Sequence, residues 1–176
     1  PPKVASLSLL MARRLGYGMF ELDSLGMAAL LKDIGYVLVG DDDNGAARSE
    51  REESRRIRKH PSHGSRILAQ SQGFSSETIN AVLQHHERWD GSGYPEGLRG
   101  DAISPFARII AIADTYCELL SAKPKRRALM PHEAIEYVMA FSAEWFDPEM
   151  VQLFVRQVPL YPSGLMVRLS TKEVGI

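Results

Sequence analysis

The stretch His85-His86-Glu87-Arg88-Trp89-Asp90-Gly91-Ser92-Gly93-Tyr94-Pro95 puts two adjacent imidazoles near the end of a helix predicted over Ser76 to Arg88. It runs straight into a loop rich in Gly, Asp and Pro that continues to Ser104. A loop of that length inside a compact domain is more often functional than decorative. Upstream lie His60, just before Pro61, and Asp33, at the end of a helix predicted from Leu22. Downstream lies Asp114, midway along a helix opened by Ser104-Pro105, an N-cap followed by a favoured first helical residue. Metals take imidazole and carboxylate, and a helical bundle can aim such ligands from separate helices at one point. Asp33 also sits at the negative end of a helix dipole, which favours a cation.

Each of these residues has a plainer reading when taken singly. A lone histidine is usually a surface or hydrogen-bonded residue. Two adjacent histidines on a helix point about 100° apart, so both reach one cluster only by straddling its face. Asp114 lies within Ile109-Ile-Ala-Ile-Ala-Asp-Thr-Tyr116, where a carboxylate is expensive to bury unless a cation or donor meets it. It reads as a ligand or as a buried structural carboxylate.

The 176 residues are 44% hydrophobic and 24% charged, with 21 basic against 22 acidic side chains, which are the proportions of a soluble globular domain. The balance argues against non-specific nucleic-acid binding, and no apolar run approaches the ~20 residues of a membrane span. The single cysteine, Cys117, excludes an internal disulfide framework and fits a reducing, cytoplasmic setting. The start, Pro1-Pro2-Lys3, lacks an initiator Met and a signal peptide and reads as a fragment or processed piece.

Helical stripes over Lys3 to Leu15 and Leu22 to Asp33 are stopped by Gly16 and Gly18 and by Gly35, placed as a cap. Gly40 to Gly45 reads as an acidic surface loop, and the charge run Arg48 to Lys59 as a solvated helix face. A helix over Ser62 to Ser71 is split from the next by Gly73, and Pro131 and Asp147-Pro148 open two more. Alternation at Leu165, Val167 and Leu169 suggests a short strand or hairpin. The expectation is an all-α bundle over residues 1–160 with a short extended segment over 161–176 belonging to the same domain.

Together, His85 to Pro95, Ala107 to Asp114, His60-Pro61 with Gly64, and Tyr161 to Ser170 resemble the HD-GYP domains. These are a branch of the HD metal-dependent phosphohydrolases that cleaves cyclic dinucleotides, above all cyclic di-GMP. The resemblance implies an HD-superfamily helical bundle enclosing two or three metals, often iron or manganese. Its ligands would fall on Asp33, as the bridging and catalytic carboxylate, and on His60, His85, His86 and Asp114. Gly93, Tyr94 and Pro95 would line the substrate pocket. Lys123 and Arg126 would fall where the family keeps basic residues against phosphates, although a solvated basic turn is the plainer reading. The implied mechanism is two-metal hydrolysis with in-line attack on phosphorus.

The sequence departs from that pattern in one region. The family's His-Asp pair, usually continued Ile-Gly-Lys, is here Lys32-Asp33-Ile34-Gly35-Tyr36. Lys32 replaces a metal-binding histidine, and Tyr36 replaces a phosphate-binding lysine. No histidine stands near Lys3, where the family has a first-helix ligand, and Cys117 and Lys123 stand where an Asp and an Arg are common. A protonated lysine has no lone pair and cannot ligate a metal. The surviving ligands suffice for one ion rather than two, and a fully degenerate site would hold none. Lys32 is expected to pair with Asp33 or Asp114 in place of a lost cation.

One reading is a degenerate signalling or partner-binding module with lost or much reduced hydrolysis. It would bind cyclic di-GMP or a protein such as a diguanylate cyclase domain, with a regulatory domain upstream. The alternative is an active metal phosphodiesterase acting on cyclic di-GMP. A third is a purely structural domain with inert histidines.

Overall fold

A computed structural model describes residues 1–39, 49–124 and 126–158, together with the backbone of 167–168 and 174–175. The acidic segment 40–45, Lys125 and most of the C-terminal segment, the first two read from sequence as surface loop and basic turn, lie outside the described residues. The fold is helical: α1 (Pro2–Arg14), α2 (Met19–Leu31), α3 (Glu50–Ile57), α4 (His60–Gln70), α5 (Ser76–Gln84), α6 (Pro105–Leu119), α7 (Pro131–Ala140) and α8 (Pro148–Gln157). Short 3-10 turns cover Ile34–Leu38 and Gly100–Ala102. Val167–Arg168 (β1) pairs antiparallel with Val174–Gly175 (β2), the hairpin expected from the alternating tail.

α6 is the axis of the bundle. Its apolar residues Ile109, Ile110, Ile112 and Ala113 are wholly buried, and α1, α2, α5, α7 and α8 all pack on it. The surrounding helices contribute one stripe each, such as Val4, Met11 and Ala12 from α1 and Ala134, Ile135 and Val138 from α7. That is the 3.6-residue periodicity of helices with one face on a core. Three helix starts are closed by side chains: Ser49 accepts from the amide of Glu52 at α3, Ser75 from that of Thr78 at α5, and Asp147 from those of Glu149 and Met150 at α8.

Three sequence expectations need correction at element ends. The helix read as Ser76 to Arg88 stops at Gln84, and His85 is its C-cap, so the two histidines are not on a helix face. The chain turns there because the amide of Glu87 bonds back to the carbonyl of Gln84 and the glycine loop leaves in a new direction. The helix read as Leu22 to Asp33 starts at Met19 and ends at Leu31, with Lys32 as C-cap in a right-handed conformation. Gly35 therefore caps nothing. It lies in the 3-10 turn, where a Cβ would stand 1.9 Å from the carbonyl oxygen of His60, so glycine is required for the turn to touch α4. α4 also begins earlier than Ser62, at His60 itself.

Asp147, buried at the start of α8, both caps that helix and accepts from Arg108 Nη1 of α6 at 2.9 Å. Asp147→Ala is expected to destabilise the protein by about 2 kcal/mol, the sum of a lost cap and a weakened charged hydrogen bond. The urea midpoint should fall while the slope of the transition is unchanged.

Candidate metal centre

The chemistry-bearing residues other than Asp114 lie at helix ends that converge beside the middle of α6. Lys32 and Asp33 follow the C-terminus of α2, His60 opens α4, His85 and His86 follow α5, and Asp114 lies on α6. His60 and His85 are buried and His86 is partly so. One nitrogen from each of the three rings lies within 4.8 Å of the other two. The rings also touch: His85 and His86 have centroids 4.2 Å apart, and His60 and His86 stand edge to face at 5.0 Å.

The tautomers follow from the partners. His60 Nδ1 lies 2.8 Å from the carbonyl oxygen of Ile57, and His85 Nδ1 lies 2.7 Å from that of Val82. A carbonyl only accepts, so each Nδ1 carries the hydrogen. Burial lowers the pKa of His60 and His85, and it drives His86 down to about 3, so the rings are neutral at pH 7. The Nε2 atoms of His60 and His85 are then both bare, yet they stand 3.2 Å apart. Two lone pairs facing each other repel unless a cation lies between or beside them. Imidazoles oriented by backbone carbonyls, with their other nitrogens converging, are what a divalent metal requires, and the donor set fits one.

Asp33 joins this cluster from one side. Its Oδ1 is 3.8 Å from His60 Nε2, while its Oδ2 is 2.5 Å from Lys32 Nζ. Lys32 is buried, and its ammonium also meets Asp114 Oδ1 at 3.1 Å. Burial alone would lower the lysine pKa, but the charges of Asp114 and Asp33 outweigh it and hold the pKa above the ordinary value. Burial pushes the Asp114 carboxyl up, and Lys32 pulls it back. The pairing of Lys32 with either carboxylate, expected from sequence, is a pairing with both.

Tyr36 sits where the resemblance places a lysine. Its ring stacks on His60 with centroids 4.2 Å apart and planes 11° from parallel. Tyr94 stacks in the same way on His86 at 4.9 Å, and the Arg58 guanidinium lies 4.9 Å over the Tyr94 ring. Beside them opens a cavity of about 270 Å³, lined among others by His86, Arg88, Tyr94, Asp114, Glu118 and Trp145.

The loop from Asp90 to Pro95 is held by residues the sequence reading did not single out. The buried carboxylate of Glu87 accepts from the amides of Glu96 at 2.6 Å and of Gly97 and Leu98 at 3.1 Å. Gly93 lies so close that a Cβ would stand 2.3 Å from the amide nitrogen of Arg88. The amide of Trp89 bonds to the carbonyl of Trp145, and Arg88 lies 3.8 Å over the Trp145 ring. The available signal for Glu87 was its place in the sequence between two histidines and a glycine-rich loop. Nothing in the sequence pairs Arg58 with Tyr94 or Arg88 with Trp145.

The basic turn is placed differently. Arg126 donates to the carbonyl oxygens of Glu118 at 2.8 Å and Leu119 at 3.4 Å, closing the C-terminus of α6. Lys123 is exposed and pairs with Glu118. Neither borders the cavity beside the histidines.

Glu87→Ala leaves three loop amides without their acceptor. Hydrogen exchange at Glu96, Gly97 and Leu98 should speed up by at least about tenfold, with a loss of about 3 kcal/mol in stability. Exchange within α6 should change only by the global loss.

Comparison with known proteins agrees with this geometry. The family model for the HD domain matches residues 2–150. A cyclic di-GMP phosphodiesterase of Pseudomonas aeruginosa is 36% identical over 177 residues, covering 98% of this chain and 42% of that protein. The cyclic di-GMP phosphodiesterase response regulator RpfG of Xanthomonas campestris is 36% identical over 156 residues, covering 88% of this chain and 41% of its own length. The chain thus spans about two fifths of the length of these relatives. A cyclic GMP-AMP-specific phosphodiesterase of Vibrio cholerae shares the fold, with a TM-score of 0.68 at 22% identity over 88% of this chain and 42% of that one. The family model covers the helical bundle that carries the converging histidines, and the chain's His85 to Pro95 stretch resembles the HD-GYP branch: the chain belongs to the HD domain family.

Proposed function

We propose that this domain binds cyclic di-GMP, or a closely related cyclic dinucleotide, over a divalent-metal centre of iron or manganese, with lost or much reduced hydrolysis. The observation that carries the ligand reading is the opening of the histidine cluster onto the cavity shared by Tyr94 and Asp114. The names of the curated relatives supply the ligand class. His60, His85, His86 and Asp33 would hold the ion. When bound, it supplies Lewis-acid polarisation of a phosphodiester.

The rest of the chemistry belongs to side chains of this chain. Tyr94, fixed against His86 and under Arg58, offers a ring edge and a hydroxyl to the ligand. Burial raises its pKa to about 12, so that hydroxyl remains a donor at every physiological pH. Arg88 lines the cavity and brings a guanidinium suited to a phosphate oxygen, a role the resemblance gives to Lys123 and Arg126. In our reading Arg88 takes it, because Arg126 is engaged by α6 carbonyls and Lys123 by Glu118.

The reduced hydrolysis rests on Tyr36. Where a phosphate-binding lysine would stand, an uncharged ring is stacked on His60. The nearby Lys32 cannot replace that cation, because two carboxylates already engage it. Loss of one such donor commonly costs ~10²–10³ in rate. The competing reading, an active phosphodiesterase, is favoured by the survival of His60, His85 and His86 with Asp33 and Asp114.

Calorimetry with Mn(II)-loaded protein should detect cyclic di-GMP binding. Arg88→Ala should weaken it by about 10–100-fold, whereas Lys123→Ala should change it less than about threefold. Equal losses would return the phosphate role to the basic turn. Chromatography of the same mixtures should show little linear dinucleotide, and rapid turnover would establish the active enzyme instead.

A further inference from the structure

Asp33 divides its two oxygens between unlike neighbours. Oδ1 faces the histidine nitrogens, 3.8 Å from His60 Nε2, and Oδ2 is bonded to the Lys32 ammonium at 2.5 Å. On the far side of that ammonium stands Asp114, at 3.1 Å, projecting from the most deeply buried helix of the bundle. The lysine side chain is 6% exposed, so this is a fixed buried cation between two carboxylates rather than a surface pair in exchange with water. A bridging carboxylate with a cation position on each side is the layout of a two-ion centre. Here one of the two positions is filled by a covalent part of the chain.

We propose that Lys32 is a built-in substitute for a second metal ion, so that the domain binds one divalent cation on the histidine side and keeps the Asp33–Asp114 side neutral without metal. This deepens the metal-binding reading above and rests on it. Charge and donor type agree. An ammonium supplies one positive charge and three N–H donors, of which the two aspartates account for two, and it offers no lone pair to an incoming ion. A second metal would have to displace an ammonium that is buried and doubly paired. It would then leave that charge beside its own, an arrangement costly in a low-dielectric site. With the lysine in place, the carboxylates do not repel each other when metal is withdrawn. The pocket side of the bundle, where α2 meets α6, is held together in the metal-free protein as well.

The test uses the whole chain stripped with a chelator and titrated with Mn(II) alone. Wild type should bind one Mn(II) per chain, by elemental analysis and calorimetry, with the electron paramagnetic resonance spectrum of an isolated ion. Lys32→His, which exchanges the ammonium for a lone pair, should bind two and show the exchange-coupled spectrum of a manganese pair. Lys32→Met, of similar shape and no charge, should melt about 10 °C below wild type without metal, and Mn(II) should recover most of that loss. Two Mn(II) in the wild type, or a metal-free Lys32→Met melting with wild type, overturns the proposal. The wild-type stoichiometry decides even where Lys32→Met does not fold. A wild type holding two Mn(II) and still binding cyclic di-GMP refutes the lysine's role alone. Failure of wild type and Lys32→His alike to bind Mn(II) removes the metal reading and this inference with it.

Discussion

Asp114 is the constraint around which the site is arranged. It projects from α6, whose neighbouring residues Ile112 and Ala113 are wholly buried, and a carboxylate there must be met by a cation or by donors. Lys32 meets it from the end of α2. That contact fixes the direction in which α2 terminates, and the next residue, Asp33, is carried to the edge of the histidine cluster. The 3-10 turn that follows can lie against α4 only because Gly35 has no side chain. A single neutralised charge therefore links the core helix, the chain reversal after α2 and the position of a candidate ligand.

The histidines obey the same economy of buried polar groups. Each Nδ1 hydrogen of His60 and His85 goes to a carbonyl three residues back, in the last turn of the preceding helix. Carbonyls at helix C-termini lack intrahelical partners, so binding an imidazole hydrogen satisfies both groups at once. This orients the rings and leaves their remaining nitrogens bare and convergent. The histidines consequently sit at helix ends, while the apolar core fills the helix middles. The core can be rigid and the site polar without conflict.

The Gly-Tyr-Pro loop adds a wall to this centre without being part of it. Glu87 binds three consecutive amides of the loop, and the backbone of Trp89 and Asp90 bonds to that of Trp145 and Glu144 ahead of α8. Tyr94 is thereby stacked on His86, and Arg88 is laid on Trp145. The guanidinium that lines the cavity, Arg88, comes from the histidine-loop segment itself. Of the basic run, Arg126 closes α6, Lys123 pairs with Glu118 and Arg127 pairs with Glu133 instead.

Much was legible in the sequence because it depends on local chemistry. Apolar periodicity and the Pro and Gly positions mark the helices, and the resemblance singles out His60, His85, His86 and Asp114 as candidate metal ligands on an all-α bundle. That Lys32 is no ligand is also plain in the sequence, since no arrangement gives an ammonium a lone pair. What required the tertiary structure were relations between residues far apart in the chain. Whether Lys32 meets one carboxylate or two, which nitrogen of each histidine is bare, and which arginine reaches the cavity all depend on how helix ends are brought together. Helix ends themselves were misread at His85 and Gly35 for the same reason. Propensity marks where a helix can stop, but the hydrogen bonds and close contacts made by distant segments decide where it does.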